Sequence, residues 1–168
     1  MQAFDQVRRQ AGRPAELKLV LAGGRGWDYA AIFQEVARLG LGQEVLFPGY
    51  VPDQELPWWY RSATVFAYPS LLEGFGLPVV EAMACGTPVV TSNTSSLPEV
   101  AGEAALLVDP ASSEMLADAL QAVLSDPALA QNLAAAGLAQ AGRFSWQRTA
   151  RETAAVYRSA LDNSGGVA

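Results

Sequence analysis

Five short apolar runs alternate along this chain with longer amphipathic stretches, and that alternation constrains the fold more than any other feature. The runs are Leu17 to Ala22, Val45 to Pro48, Val65 to Tyr68, Pro88 to Thr91 and Ala105 to Val108. Each is too short for a helix and is bounded by Gly, Pro, Ser or Asp. Their β-branched residues suit strands buried on both faces, which is the pattern of a parallel sheet with helices laid over it. The expected class is α/β.

The stretches between them carry the helical period. Tyr29 to Leu39 places Ala31, Ile32, Val36 and Leu39 on one face, and Asp53 is a candidate cap for a short helix running to Ser62. In that helix Leu56, Trp59 and Tyr60 fall at i, i+3 and i+4, read as a face packed on the sheet rather than a platform for stacking a ligand ring, with Trp58 pointing outward. After Asp109-Pro110 only helices are expected: Ser113 to Leu124, Ala128 to Ala141, and Trp146 to Leu161 capped by Ser145. Residues 163–168 read as a disordered tail. Neither a repeat nor a composition shift marks a second domain within residues 1–162.

Composition narrows the chemistry. A formal charge of −6, with Lys18 as the single lysine, argues against a nucleic-acid binder, which needs a dense cationic surface. No apolar run approaches the ~20 residues of a membrane span, and Met1 opens no secretory pattern, so a soluble cytoplasmic protein is expected. Cys85 is the only cysteine, which forbids an internal disulfide, and it reads as a small buried residue near a helix end. The chain has no histidine. Its chemistry must rest on carboxylates, arginines and backbone amides.

The segment from Pro69 to Pro88 is the most informative. It reads as strand, glycine loop, helix, turn and strand, with Pro78 in the first helical turn, the helix running to Ala84, and Gly86 just past its end. Gly74 and Gly76 let backbone approach a ligand, and the helix start offers free N–H groups and a positive dipole end. That is an anion site without lysine, placed beyond the carboxyl end of a strand. Glu73 and Glu81 frame it, and a carboxylate is a pure acceptor suited to hydroxyl donors.

Glu73-Gly74-Phe75-Gly76-Leu77-Pro78 through Glu81-Ala82-Met83-Ala84 resembles the Glu-x7-Glu signature of the retaining glycosyltransferases of family 4, which share the two-Rossmann GT-B fold. Phe47-Pro48-Gly49-Tyr50-Val51, Gly86-Thr87-Pro88-Val89-Val90, Leu97-Pro98-Glu99-Val100 and Ala105 to Pro110 follow in the order typical of that family. The resemblance implies a Rossmann-like sheet, the C-terminal, donor-binding lobe of such an enzyme. It implies that Glu73, the candidate catalytic residue, contacts hydroxyls of the transferred sugar, while the amides from Gly74 to Leu77, Phe75 and Gly76 included, hold sugar and diphosphate. Glu81 would bind the ribose. Tyr50, Val51 and the Gly23-Gly24-Arg25 turn would lie near the nucleobase and adjoining phosphate, although Arg25 also suits an ordinary surface arginine. Glu99 reads as the cap of a short helix in preference to a brace for the loop beside Glu81. Where the family often has a glycine pair, this chain has Ser95-Ser96.

By the same resemblance the chain enters midway through the lobe's first helix, without the first strand and the Arg/Lys loop that grips the diphosphate. The histidine-bearing acceptor lobe, through which any peripheral membrane contact would run, would likewise be absent. The implied donor is a nucleotide diphosphate sugar, GDP-mannose or UDP-glucose, with no metal and no other cofactor. The alternatives are a non-catalytic nucleotide-sugar-binding module or a subunit of a split transferase, and, less favoured, a sugar-nucleotide epimerase of the same two-lobed fold. Without its first strand, the sheet has two options: the first and third runs stay apart with unpaired edges, or they close up and pair.

Overall fold

The structure, a computed structural model, describes residues 1–10, 16–24 and 29–164, with side chains to residue 162. Its elements are α1 (Gln2–Arg9), β1 (Leu19–Ala22), α2 (Tyr29–Leu39), β2 (Val45–Gly49), α3 (Leu56–Ser62), β3 (Phe66–Tyr68), α4 (Leu77–Ala84), β4 (Val89–Ser92), α5 (Leu97–Ala101), β5 (Ala105–Val108), α6 (Ser113–Ser125), α7 (Pro127–Ala141) and α8 (Trp146–Ser164). Each apolar run is a strand, and all pairing is parallel.

The strands form two sheets. β3, β4 and β5 pair in that order, with Phe66 opposite Val89 and Val89 opposite Ala105. β1 pairs only with β2, Leu19 opposite Val45, with an irregularity between Val20 and Ala22. Of the two options open to the sheet, β1 and β3 stay unpaired with each other, and each leaves one edge free among the described residues.

The two sheets are covered unequally. β4 is buried along its whole length, and its two polar residues are satisfied: the Thr91 hydroxyl donates to the Tyr68 carbonyl at 2.9 Å and the Ser92 hydroxyl to the Ser70 carbonyl at 2.6 Å. One face packs on α4, α5 and α7 through Val79, Met83, Val89, Leu97 and Val100. The other packs Val90 and Val108 on Val123 and Leu133. Helices α4 and α7 lie close because Gly137 has no side chain; a Cβ there would stand 3.2 Å from Met83 Cγ. Around β1 and β2 the core is smaller, Phe4, Val36, Leu41 and Val45, and Leu46 remains 47% exposed. Helix α6 spans the division. Its Leu116 and Leu120 pack both with Val65 and Leu106 of the larger sheet's core and with Ala3, Val7 and Leu17.

Several expectations change. Helix α3 begins at Leu56, not beside Asp53: the Pro52 carbonyl accepts the amides of Glu55 and Leu56 at 2.8 and 3.2 Å, so residues 53–55 form a turn, and Glu55 takes the cap position with no side-chain bond. Its aromatic face is only partly covered; Trp59 is 37% exposed and only Tyr60 joins the core, while Trp58 points outward with Arg61 over its ring. In α2, Val36 is buried but Ile32 is 43% exposed, because β1 and β2 offer too narrow a surface to cover it. Glu99 does not cap α5, which starts at Leu97 with Ser96 in the cap position; Glu99 sits in the first turn. Cys85 lies at the end of α4 as expected but is half-buried. Ser145 does cap α8, accepting the Arg148 amide at 3.2 Å. That helix continues to Ser164, so the first two residues of the expected tail are helical, and residues 165–168 lie outside the described residues.

Candidate functional site

The site residues that the structure describes stand where the chain leaves the carboxyl end of a parallel strand, or on the helix that follows. They fall into two groups. After β1 and β2, the Gly23 amide donates to the Gly49 carbonyl at 2.9 Å, which joins two glycine turns with φ of +143° and +79°. Among the described residues, a Cβ at Gly23, Gly24 or Gly49 would meet nothing within 4 Å. Tyr50 is 73% exposed beside these turns, and Val51 is buried. Arg25 lies outside the described residues.

The second group is built on β3, α4 and the loop between them. Gly74 and Gly76 differ in role. A Cβ at Gly74 would meet nothing within 4 Å, leaving its backbone free to meet a ligand. Gly76 is buried with φ +106°, and a Cβ there would stand 2.6 Å from Cδ2 of the fully buried Leu97. Gly76 is thus required by packing on α5 as well, a constraint on its side chain that leaves its amide in the loop. The Val79 amide turns back to the Gly76 carbonyl at 3.0 Å, while the amides of Gly74, Phe75, Gly76 and Leu77 have no acceptor among the described residues. Together with the dipole of α4 they make a cradle for negative charge. The Phe75 ring is engaged, standing edge-on to Phe144 at 5.6 Å.

Each carboxylate is held by a tyrosine. The Tyr68 hydroxyl donates to Glu73 Oε1 at 2.7 Å, and the Tyr60 hydroxyl donates to Glu81 Oε2 at 3.0 Å. Burial, then the hydrogen bond to Glu73, pushes the Tyr68 phenol up to about 12; burial and Glu81 push Tyr60 up likewise. Phe66 stands between them, edge-on to Tyr60 at 5.2 Å and stacked on Tyr68 at 5.9 Å. The Thr87 hydroxyl anchors the base of this ladder by donating to the Tyr60 carbonyl at 2.7 Å.

Ser95 and Ser96 hold the main chain of the loop. Ser95 has φ +61°, a left-handed conformation that costs a non-glycine residue roughly 1–3 kcal/mol. The glycine expected at this point by resemblance is thus replaced by a serine that keeps a glycine's backbone. Its Oγ accepts the Glu73 amide at 3.1 Å and donates to the Glu73 carbonyl at 2.7 Å. The Ser96 hydroxyl shares its proton between the carbonyls of Phe75 at 2.9 Å and Glu73 at 3.1 Å.

The structure therefore brings together Glu73, Gly74, Phe75, Gly76, Leu77 and Glu81, and separately Gly23, Gly24, Tyr50 and Val51; among the described residues no hydrogen bond links Glu73 or Glu81 to the second set. Sequence reasoning missed Tyr68, marked Ser95-Ser96 only as a departure from the family's glycine pair, and read Tyr60 only as a core contact. For Tyr68 the available signal was the period-2 alternation that puts it with Phe66 on one face of β3.

The family model for glycosyl transferases group 1 matches residues 1–140, a span that holds the strand, the carboxylate-framed glycine loop and the helix start just described. The chain belongs to that family. Among its relatives, O-antigen chain mannosyltransferase B of Escherichia coli is 44% identical over 140 residues, 83% of this chain and 37% of that protein. Sucrose-phosphate synthase from Thermosynechococcus elongatus superposes with a TM-score of 0.83 at 32% identity, over 96% of this chain and 42% of that one. The Anabaena protein HepE, solved in complex with UDP-glucose, gives 0.82 at 25% identity, over 94% and 44%. This group 1 glycosyl transferase chain thus spans about two fifths of the length of proteins it matches, and its fold is that of one part of a GT-B enzyme. Among the described residues no helix is long and apolar enough to cross a membrane.

Proposed function

We propose that this chain is the donor-binding lobe of a retaining, family 4 hexosyltransferase, one that moves a mannose- or glucose-type sugar from a nucleotide diphosphate to a glycan or lipid-linked acceptor. The observation that carries the reading is the pair of carboxylates, each oriented by a tyrosine, on either side of unpaired amides at the start of α4. Each tyrosine occupies one oxygen of its carboxylate and leaves the other to accept from a hydroxyl. Glu73 would take hydroxyls of the sugar, Glu81 the ribose, and the Gly74 to Leu77 amides the diphosphate. The Gly23-Gly24-Tyr50-Val51 corner would face the base. Charge developing on the leaving diphosphate would be met by fixed amides while the acceptor attacks from the same face. The names of the mannosyltransferase relative and the UDP-glucose-bound neighbour support this donor class.

Transfer itself would need an acceptor lobe beyond these residues. The part-length match to relatives supports that view. The part-length match also fits a second reading, a nucleotide-sugar-binding subunit of a split transferase, which a partner chain bearing a catalytic histidine would distinguish.

Calorimetric titration tests the donor reading. Glu81→Ala should weaken both GDP or UDP and the corresponding sugar nucleotide, whereas Glu73→Ala should weaken only the sugar nucleotide, each lost charge-assisted contact costing about 1.5–3 kcal/mol. Equal losses for both ligands in both variants would refute the division. Among the described residues no group of three His, Cys, Asp or Glu side chains is placed to hold a metal, and binding is expected to persist in chelator. Affinity that vanished in chelator and returned with magnesium or manganese would overturn metal independence.

A further inference from the structure

The geometry points to Ser95 as a positioning residue for Glu73. Ser95 lies outside the signature loop, yet a single Oγ closes on both the amide and the carbonyl of Glu73. That hydroxyl is aimed by the positive φ of its own backbone, since an ordinary φ would turn the side chain elsewhere. With Tyr68 holding the carboxylate, Glu73 is fixed at its peptide and at its tip. Gly74, next in the chain, has no side chain, and nothing among the described residues stands within 4 Å of where its Cβ would be, so the Glu73 amide is held by Ser95 with no packing at the following residue to help. Ser96 grips the same carbonyl from the next position and adds Phe75, so the pair sets the path of the loop over two residues. The sugar-bearing end of a donor is then met by a carboxylate already in place, and no ordering cost is charged to binding.

This inference rests on the donor reading above, and its test separates the two. Ser95→Gly keeps the left-handed backbone and removes only the hydroxyl; Ser95→Ala removes the hydroxyl and keeps a side chain in that conformation. In the ligand-free chain, hydrogen exchange at the Glu73 amide should quicken about tenfold in Ser95→Gly, the size of one ordinary hydrogen bond, with exchange at Val89 and Val90 unchanged. Calorimetry with GDP, UDP, GDP-mannose and UDP-glucose should then show affinity for the sugar nucleotide falling about tenfold in both variants, with the free diphosphate unaffected. If Ser95→Gly exchanges and binds as wild type does, Ser95 is only a turn residue and the inference is overturned. If wild type binds none of the four nucleotides while exchange at Glu73 still quickens, the donor reading fails and the clamp on Glu73 stands.

Discussion

A carboxylate takes its direction from what hydrogen-bonds it, and here Tyr68 and Tyr60 give that direction to Glu73 and Glu81. Both phenols are held protonated by the fold. Their contribution to stability is therefore complete below the ordinary tyrosine value near 10 and is lost as pH rises, for Tyr68 through about 12. Spectrophotometric titration of the chain's five tyrosines should show two ionising late, together with unfolding, and Tyr60→Phe with Tyr68→Phe should abolish that late class. A titration with all five in one ordinary class would contradict the bonds. Gly76 is the other position where one atom decides. Gly76→Ala places a Cβ against Leu97 at an unfavourable φ, and should lower stability by ~1–3 kcal/mol in denaturant unfolding; a loss below a few tenths would mean that Leu97 yields freely. Glu73 and Glu81 were legible because their spacing around a glycine loop is local in sequence. Two of their partners were not: Tyr60 lies 21 residues before Glu81, and Ser95 lies 22 after Glu73, separations over which only the assembled fold decides contact.

Elements were more readable than residues, for a physical reason. Strand cores such as Val89-Val90-Thr91 are composed of β-branched residues between Pro88 and Asn93, and nothing in their neighbourhood competes. Helix starts depend on which carbonyl captures an amide first, and at Pro52 the turn captured two before Asp53 could cap. Helix α1 shows how an element of eight residues is held without a side-chain cap: Asp5, nearly buried, pairs with Arg8 at 3.0 Å and Arg9 at 2.9 Å, and Arg8 reaches on to the Leu39 carbonyl at 3.3 Å. Burial alone would raise the Asp5 carboxyl, but the two arginines outweigh it and hold it below its ordinary value. Its stabilisation is thus complete above about pH 4 and is lost as pH falls through the lowered folded value. Asp5→Asn is expected to cost ~1–2 kcal/mol at neutral pH, between an exposed and a buried pair, and to flatten the acid limb of the stability curve. An acid limb identical to wild type would show that the pairing contributes nothing.

For the whole molecule, the split into two sheets could be framed from sequence as one of two options but not decided, since strand pairing is a long-range choice. Its energetic consequence is uneven stability. A two-stranded sheet with partly exposed faces is marginal, whereas β4 is buried in a three-stranded one. Native-state hydrogen exchange should find Leu19–Ala22 and Val45–Gly49 opening at lower free energy than Val89–Ser92; a single opening energy for all three would show one cooperative unit. The two parts meet through apolar side chains, Ala3, Val7 and Leu17 against Leu116, Ala117 and Leu120 of α6. Apolar contacts have no preferred direction, so what joins the two sheets at α6 is complementary shape, and the Gly23–Tyr50 corner stands relative to the Glu73 loop as the packing of these few side chains sets it.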